Sequence, residues 1–224
     1  MGLDWRPMGK PKPGFEERHK QIFRIIKGEE KLKELSFIDK LLGKRQITKE
    51  QLIEEFVDNI IESYETIKAP RVGYDEVANE WIKTKYQESD KTLSQEDFFK
   101  EYLGYYVIEL AQERDGVPVY IPFMQDKNVF RAQFLDCCKE LIGEKLYNEA
   151  WVSKLAEDTL KYGQALMAIT DKISVENNLQ YLKEQYIPPE TDEDSLESKL
   201  HILFSASKWL IFYGKNGHGF EADF

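Results

Sequence analysis

The chain contains few of the residues from which metal and redox sites are built: its 224 residues include two cysteines and three histidines. A structural zinc site takes four ligands, mainly Cys and His, and suitably spaced candidates are missing. Cys137 and Cys138 are adjacent, and a disulfide between neighbours would strain the backbone. No base or helix N-terminus is identifiable beside either thiol. We therefore expect no metal, no cofactor and two reduced thiols in a cytoplasmic protein.

Long apolar runs and the common catalytic motifs are also missing from the sequence. No run of about 18 apolar residues is present, and a membrane-spanning helix needs one of that length. The N-terminus lacks the apolar stretch of a signal peptide. Neither the G-x-S-x-G elbow nor the glycine patterns that bind nucleotide phosphates occur. These absences disfavour a membrane protein and the familiar hydrolase and nucleotide-binding classes.

Charge is plentiful and unevenly placed. The formal net charge is −10, yet residues 1–50 contain 13 Lys and Arg against 8 Asp and Glu. An acidic body repels polyanions, so we expect no nucleic-acid partner. A basic protein is the partner that this charge favours.

Apolar residues recur at helical spacing along most of the chain. They predict an all-α fold, an irregular bundle of six to nine helices forming one domain over 15–224, preceded by an extended Pro/Gly/Lys arm over 1–14. Thr48 with Gln51, and Ser94 with Asp97, are typical of helix starts. The expected helices cover residues 15–27, 32–42, 48–67, 77–86, 95–111, 128–142, 144–173 and 196–213.

Residues 117–123, VPVYIPF, interrupt the helical pattern. Their β-branched content favours a strand, whereas Pro118 and Pro122 each remove a backbone donor. Only an edge strand or an extended crossover between helices satisfies both observations. The sequence favours the crossover.

Two positions in the sequence indicate close packing. Trp5 is the only large apolar residue of the arm, and we expect it to fill a groove on the protein's own surface. Gly163 interrupts a long helical segment, where a glycine costs about 1 kcal/mol relative to alanine. Such a glycine usually admits a close neighbour or marks a kink.

The tail GKNGHGF, 214–220, is the stretch most suggestive of a ligand loop. Phosphate-binding glycine loops lead into a helix N-terminus, whereas this one follows a helix C-terminus. We therefore predict that Gly214 is a left-handed cap and that Lys215 complements the helix dipole. Phe220 should pack on the body, with His218 held near the surface.

Aromatic and histidine residues supply the candidate sites. Aromatic stripes at helical spacing are normally core, and the alternative is an aromatic-lined groove for a peptide or small molecule. Glu16-x-x-His19 matches half of a di-iron signature whose second half is missing, so a buried histidine is the favoured explanation. The candidate binding residues are Tyr102, Tyr106, Glu197, His201, Trp209, Tyr213 and His218.

Two functions fit these observations. The favoured function is that of a non-catalytic protein that binds another protein through an acidic and aromatic surface. The expected partner is a basic protein. The alternative is an enzyme whose site combines His201 or His218 with Glu197 and Lys215, near tyrosines distant in sequence. A homodimer is compatible with either function.

Overall fold

The chain divides into two compact units in a computed structural model, one of Met1–Met8 with Ser63–Phe224 and one of Gly9–Glu62. The arm over 1–14 and the single domain over 15–224 stay predictions. Within the described ranges no helix is both long enough and apolar enough to cross a bilayer. The structure describes residues 2–32, 46–66, 76–101, 116–121, 125–185, 188–192 and 194–224.

The described residues are mostly helical, as predicted, and they also form six strands. The helices are α1 (Glu16–Ile26), α2 (Lys49–Asp58), α3 (Ser63–Thr66), α4 (Glu76–Glu88), α5 (Gln95–Glu101), α6 (Lys139–Glu149), α7 (Ala156–Glu176) and α8 (Leu196–Lys215). Two 3₁₀ helices cover Ala132–Cys138 and Gln180–Glu184. The strands are β1 (Asp4–Pro7), β2 (Lys10–Pro11), β3 (Ile60–Ile61), β4 (Gly116–Ile121), β5 (Gln125–Phe130) and β6 (Phe220–Asp223).

A four-stranded antiparallel sheet in the order β4-β5-β1-β6 corrects the all-α prediction. The predicted arm supplies its strand β1, in which Trp5 lies opposite Phe130 on one side and Ala222 on the other. The prolines rule out a helix in the arm but leave it free to pair as a strand. Pairing with residues more than a hundred positions away leaves no local signal in the sequence.

Residues 116–121 form the edge strand β4, not the favoured crossover. In its pairing with β5, Pro118 lies opposite Asn128. A proline is tolerated here because one side of an edge strand needs no backbone donor. Pro122 lies outside the described residues.

The structure also corrects the helix predicted over 128–142. Its first residues belong to β5, the 3₁₀ helix Ala132–Cys138 follows, and α6 begins only at Lys139. The spacing of Phe130 and Phe134 is helical, but Phe130 reaches the core from a strand and is fully buried. Gly143 then interrupts α6 with a left-handed φ of 77°.

The helix predicted over 144–173 is likewise divided, into α6 and α7. Between them, Lys154 forms an antiparallel bridge with Phe220, and both backbone N–H groups donate at 2.9 Å. This long-range pairing replaces two helical hydrogen bonds, which explains why local periodicity did not show the break.

Helices α7 and α8 pack closely because of two glycines. A Cβ on Gly163 would lie 2.7 Å from Cβ of Leu210, which confirms the predicted close neighbour. A Cβ on Gly214 would lie 2.7 Å from the backbone N of Leu160. Real Cβ atoms do not approach this closely, so each glycine sets the distance between the two helices.

The core of the larger unit surrounds Trp5, which is fully buried. Its indole Nε1 donates to the carbonyl of Ala150 at 2.8 Å. Its ring lies within 6.0 Å, between centroids, of four further aromatic rings on β5, α7, α8 and β6. These rings are Phe130, Tyr162, Trp209 and Phe220.

The smaller unit pairs α1 with α2 around a small core of Ile22, Ile25 and Leu52. Thr48 and Gln51 form the predicted capping box, each accepting a hydrogen bond from the backbone N–H of the other. The helix predicted over 48–67 ends earlier, at Asp58. Residues 60–61 pair instead with β2, which accounts for the early end.

We expect replacement of Gly214 by alanine to lower the free energy of unfolding by about 1–3 kcal/mol, because the backbone of α7 must move. In an exposed helix, replacement of glycine by alanine raises the free energy of unfolding by roughly 1 kcal/mol. The sign of the measured change therefore distinguishes a closely packed Gly214 from an exposed one. Urea unfolding measures the change in the free energy of unfolding. Lys172→Ala, on the exposed face of α7, is the control, and we expect it to change this free energy by less than about 0.5 kcal/mol. Stabilisation by Gly214→Ala would contradict the close packing.

Candidate functional site

The tail after α8 turns back onto the larger unit. Helix α8 extends to Lys215, and the left-handed residue is Gly217, with a φ of 84°. The predicted cap, Gly214, lies inside the last helical turn, because it is needed there for packing against Leu160. Phe220 is fully buried, which confirms that it packs on the body.

His218 is fully buried, whereas the sequence predicted a position near the surface. Its Nδ1 lies 2.9 Å from the carbonyl oxygen of Met8, and since a carbonyl only accepts, Nδ1 carries a proton. Its Nε2 is hydrogen-bonded to the hydroxyl of Thr66. The backbone N–H of Met8 in turn donates to Gly219 at 2.9 Å. His218 therefore joins the tail to the N-terminal strand, which explains its burial.

His201 is also buried, within α8, and its Nε2 lies 3.2 Å from the carbonyl oxygen of Gln185. Glu197 lies one turn earlier on the same helix. Lys215 is at the far end of α8, about 21 Å from His201 at 1.5 Å per residue. The structure thus places Glu197 and His201 at one end of the helix and Lys215 at the other. It does not bring the residues of the predicted enzyme site together.

Trp209 and Tyr213 belong to the core. Their side chains are 0% and 1% exposed, and their ring centroids are 4.4 Å apart. Of the two interpretations that the sequence left open, core packing applies to this pair, so they offer no surface to a ligand. Tyr102 and Tyr106 lie outside the described residues.

An aromatic surface does occur, at a position that the sequence did not indicate. Tyr147, Trp151 and Phe224, here called the aromatic row, lie in succession, with centroid distances of 6.4 Å and 5.5 Å. Phe224 is 67% exposed and Val152 is 37% exposed, whereas Tyr147 and Trp151 are partly buried against the core. The spacing of Tyr147 and Trp151, four residues apart, predicted that they share the apolar face of a helix. Phe224 joins them only through the folded tail.

Charged groups surround the first ring of the aromatic row. The hydroxyl of Tyr147 donates to Asp136, and this carboxylate raises the pKa of Tyr147 above its usual value. The ammonium of Lys139 lies 4.8 Å from the Tyr147 ring centroid and pairs with Glu144 at 2.9 Å. The row therefore already accommodates one cation, with carboxylates close by.

The surroundings of the two thiols differ from those that the sequence predicts. Cys138 is the N-cap residue of α6, and its Sγ lies 3.7 Å from that of Cys137. The hydrogen bond from Cys138 lowers the pKa of Cys137 to about 7, and the charge of Lys199 acts in the same direction. No group that favours a thiolate was recognisable near the pair in the sequence, because Lys199 is about sixty residues away.

His19 of the smaller unit is buried, as expected, and stacks on Phe56 with centroids 4.1 Å apart. Among the described residues its Nε2 has no hydrogen-bond partner, and burial lowers the pKa of His19 to about 4. Among the described residues, no group of three or more His, Cys, Asp or Glu is arranged to hold a metal ion.

Comparison of the chain with models of protein families, with curated proteins and with solved structures gives no match.

We expect the smaller unit to lose stability as the pH falls from 6.5 to about 4, the interval between the ordinary and the lowered pKa of His19. In this interval the unfolded state binds a proton that the folded state excludes, so the free energy of unfolding rises with pH. The loss is about 2 kcal/mol after allowance for partial solvation. Above pH 6.5 the contribution is fully present.

The non-titrating variant His19→Gln isolates this effect. We expect its free energy of unfolding, followed by urea titration of NMR signals from α1, to depend less steeply on pH over the same interval. Equal slopes for the two proteins would contradict the assignment of a neutral, buried His19.

Proposed function

We propose that the protein binds a basic segment of another protein at the aromatic row and acts as a non-catalytic interaction module of the cytoplasm. The observation that carries this proposal is the exposed ring of Phe224 on the partly buried rings of Trp151 and Tyr147, beside carboxylates. Aromatic residues are enriched at the energetic centres of protein interfaces.

The exposed end of the row supports a binding role. Apolar side chains isolated on a surface are ordinary, whereas the exposed Phe224 contacts the partly buried Trp151, which the exposed Val152 follows in the chain. Burying Phe224 against a partner would remove a largely hydrated ring from water. Because the ring rests on Trp151 through an edge-to-face contact, little side-chain entropy is lost on binding.

Charge supports a basic partner in particular. Lys139 over Tyr147 shows that a cation fits on a ring of the row, and a partner's Arg or Lys would make the equivalent contact on Trp151. The side chains of Glu144 and Asp223 are 68% and 46% exposed, and each already pairs with a cation of the chain, Lys139 and Arg6, for which a partner's Arg or Lys would compete. The net charge of −10 would also accelerate the encounter with a basic protein.

The test measures binding to an array of peptides that contain Arg and Lys, with matched peptides in which Asp and Glu replace them. We expect the wild-type protein to bind basic members and Phe224→Ala to bind them about tenfold more weakly, a loss of ~1.4 kcal/mol. Tyr181→Ala is the matched control, because Tyr181 is 57% exposed and lies on the 3₁₀ helix Gln180–Glu184, outside the row. Its binding should equal that of the wild type.

Three outcomes would contradict this function. The first is equal binding of acidic and basic peptides, and the second is an equal loss of binding in Phe224→Ala and Tyr181→Ala. The third is a wild-type homodimer in light scattering that Phe224→Ala converts to a monomer, because the row would then be occupied by a second copy of the chain. Binding to basic peptides should also weaken as salt is raised, since exposed charges are screened within about 10 Å at 0.1 M.

A further inference from the structure

The adjacent thiols lie where the 3₁₀ helix Ala132–Cys138 meets α6. Their Sγ atoms are 3.7 Å apart. Cys138 is fully buried, whereas Cys137 is only partly buried and thus open to solvent. The pair therefore combines one accessible sulfur with one inaccessible sulfur in direct contact.

The surroundings of the pair assign different roles to the two sulfurs. Cys138 Sγ lies 3.5 Å from the carbonyl oxygen of Lys199 and 3.8 Å from that of Phe134. Cys137 Sγ lies 2.9 Å from the Phe134 carbonyl, a contact that its thiol makes only while protonated. When Cys137 ionises, the thiol of Cys138 is placed to donate to it. The hydrogen bond from Cys138 and the charge of Lys199 lower the pKa of Cys137, whereas its partial burial and the charge of Asp194 raise it.

We propose that Cys137 is a site of thiol–disulfide exchange, which reacts with a low-molecular-weight disulfide of the glutathione type and keeps half of it as a stable mixed disulfide. Cys138 is a positioning residue that stabilises the attacking thiolate. A pKa of about 7 for Cys137 leaves a large share of it ionised at neutral pH.

The exchange needs no further reactant. The thiolate of Cys137 attacks one sulfur of the disulfide, a new S–S bond forms, and the original S–S bond breaks. The second sulfur leaves as a thiolate with the bonding electron pair and takes a proton from water. Cys137 is thereby oxidised, and the leaving half of the reagent is reduced.

The mixed disulfide persists because Cys138 is poorly placed to displace it. Adjacent Cα atoms are about 3.8 Å apart, whereas ordinary disulfides join Cα atoms that are about 4.4–6.8 Å apart. A bond between the two neighbours would therefore distort the backbone between the 3₁₀ helix and α6.

The first experiment measures the rate of alkylation by iodoacetamide from about pH 5 to about pH 10, using intact mass. We expect a midpoint of about 7 in the wild type, an upward shift in Cys138→Ala, and a smaller upward shift in Cys138→Ser, whose hydroxyl still donates. Cys137→Ser should not react. A wild-type midpoint of about 8.5, or equal midpoints in all reactive variants, would overturn the proposal.

The second experiment uses glutathione disulfide and the wild-type protein, so it does not depend on the folding of any Cys138 variant. Peptide mapping should find one adduct, on Cys137, that survives removal of excess reagent. An adduct on Cys138, a disulfide between the two neighbours, or no adduct would each overturn the proposal.

Discussion

The hydrogen bond from the Trp5 indole to the Ala150 carbonyl is the interaction on which the larger unit depends. It ties β1 to the end of α6, at a position where the ring is completely buried. An indole N–H buried without a partner costs about 1–3 kcal/mol, so the ring and the end of the helix determine each other's position. Phe220 closes the same cluster from the tail, which makes β6 a part of the core.

The position of the aromatic row follows from this constraint. Ala150 precedes Trp151 in the chain, so the contact that fixes Trp5 also fixes the start of the exposed surface. The pairing of Phe220 with Lys154 then directs the tail past α6, where Phe224 meets Trp151. Gly219 permits this path, since a Cβ there would lie 2.1 Å from the carbonyl oxygen of Lys154. Core packing and surface chemistry thus depend on the same few contacts.

Local patterns predicted the helices well and the sheet poorly. The helix caps at Thr48 and Ser94 were predictable because their partners lie three residues away. The packing role of Gly163 was predictable because it depends on one face of a single helix. Strand β1 pairs instead with β5 and β6, at sequence separations that no local pattern contains. The candidate site shows the same limit, because the sequence left Trp209 open between a core position and a binding groove, and no pattern connects Phe224 to Trp151.

The most direct measurement is the free energy of unfolding of Trp5→Ala, determined with urea and combined with hydrogen exchange of the β6 amides. If Trp5 organises the core, stability falls by at least about 3 kcal/mol, in the range for a fully buried large side chain. Protection of the β6 amides is then lost, because β1 is the partner strand of β6. A change of less than about 0.5 kcal/mol, with β6 still protected, would show that residues 1–8 are a dispensable arm and contradict this account.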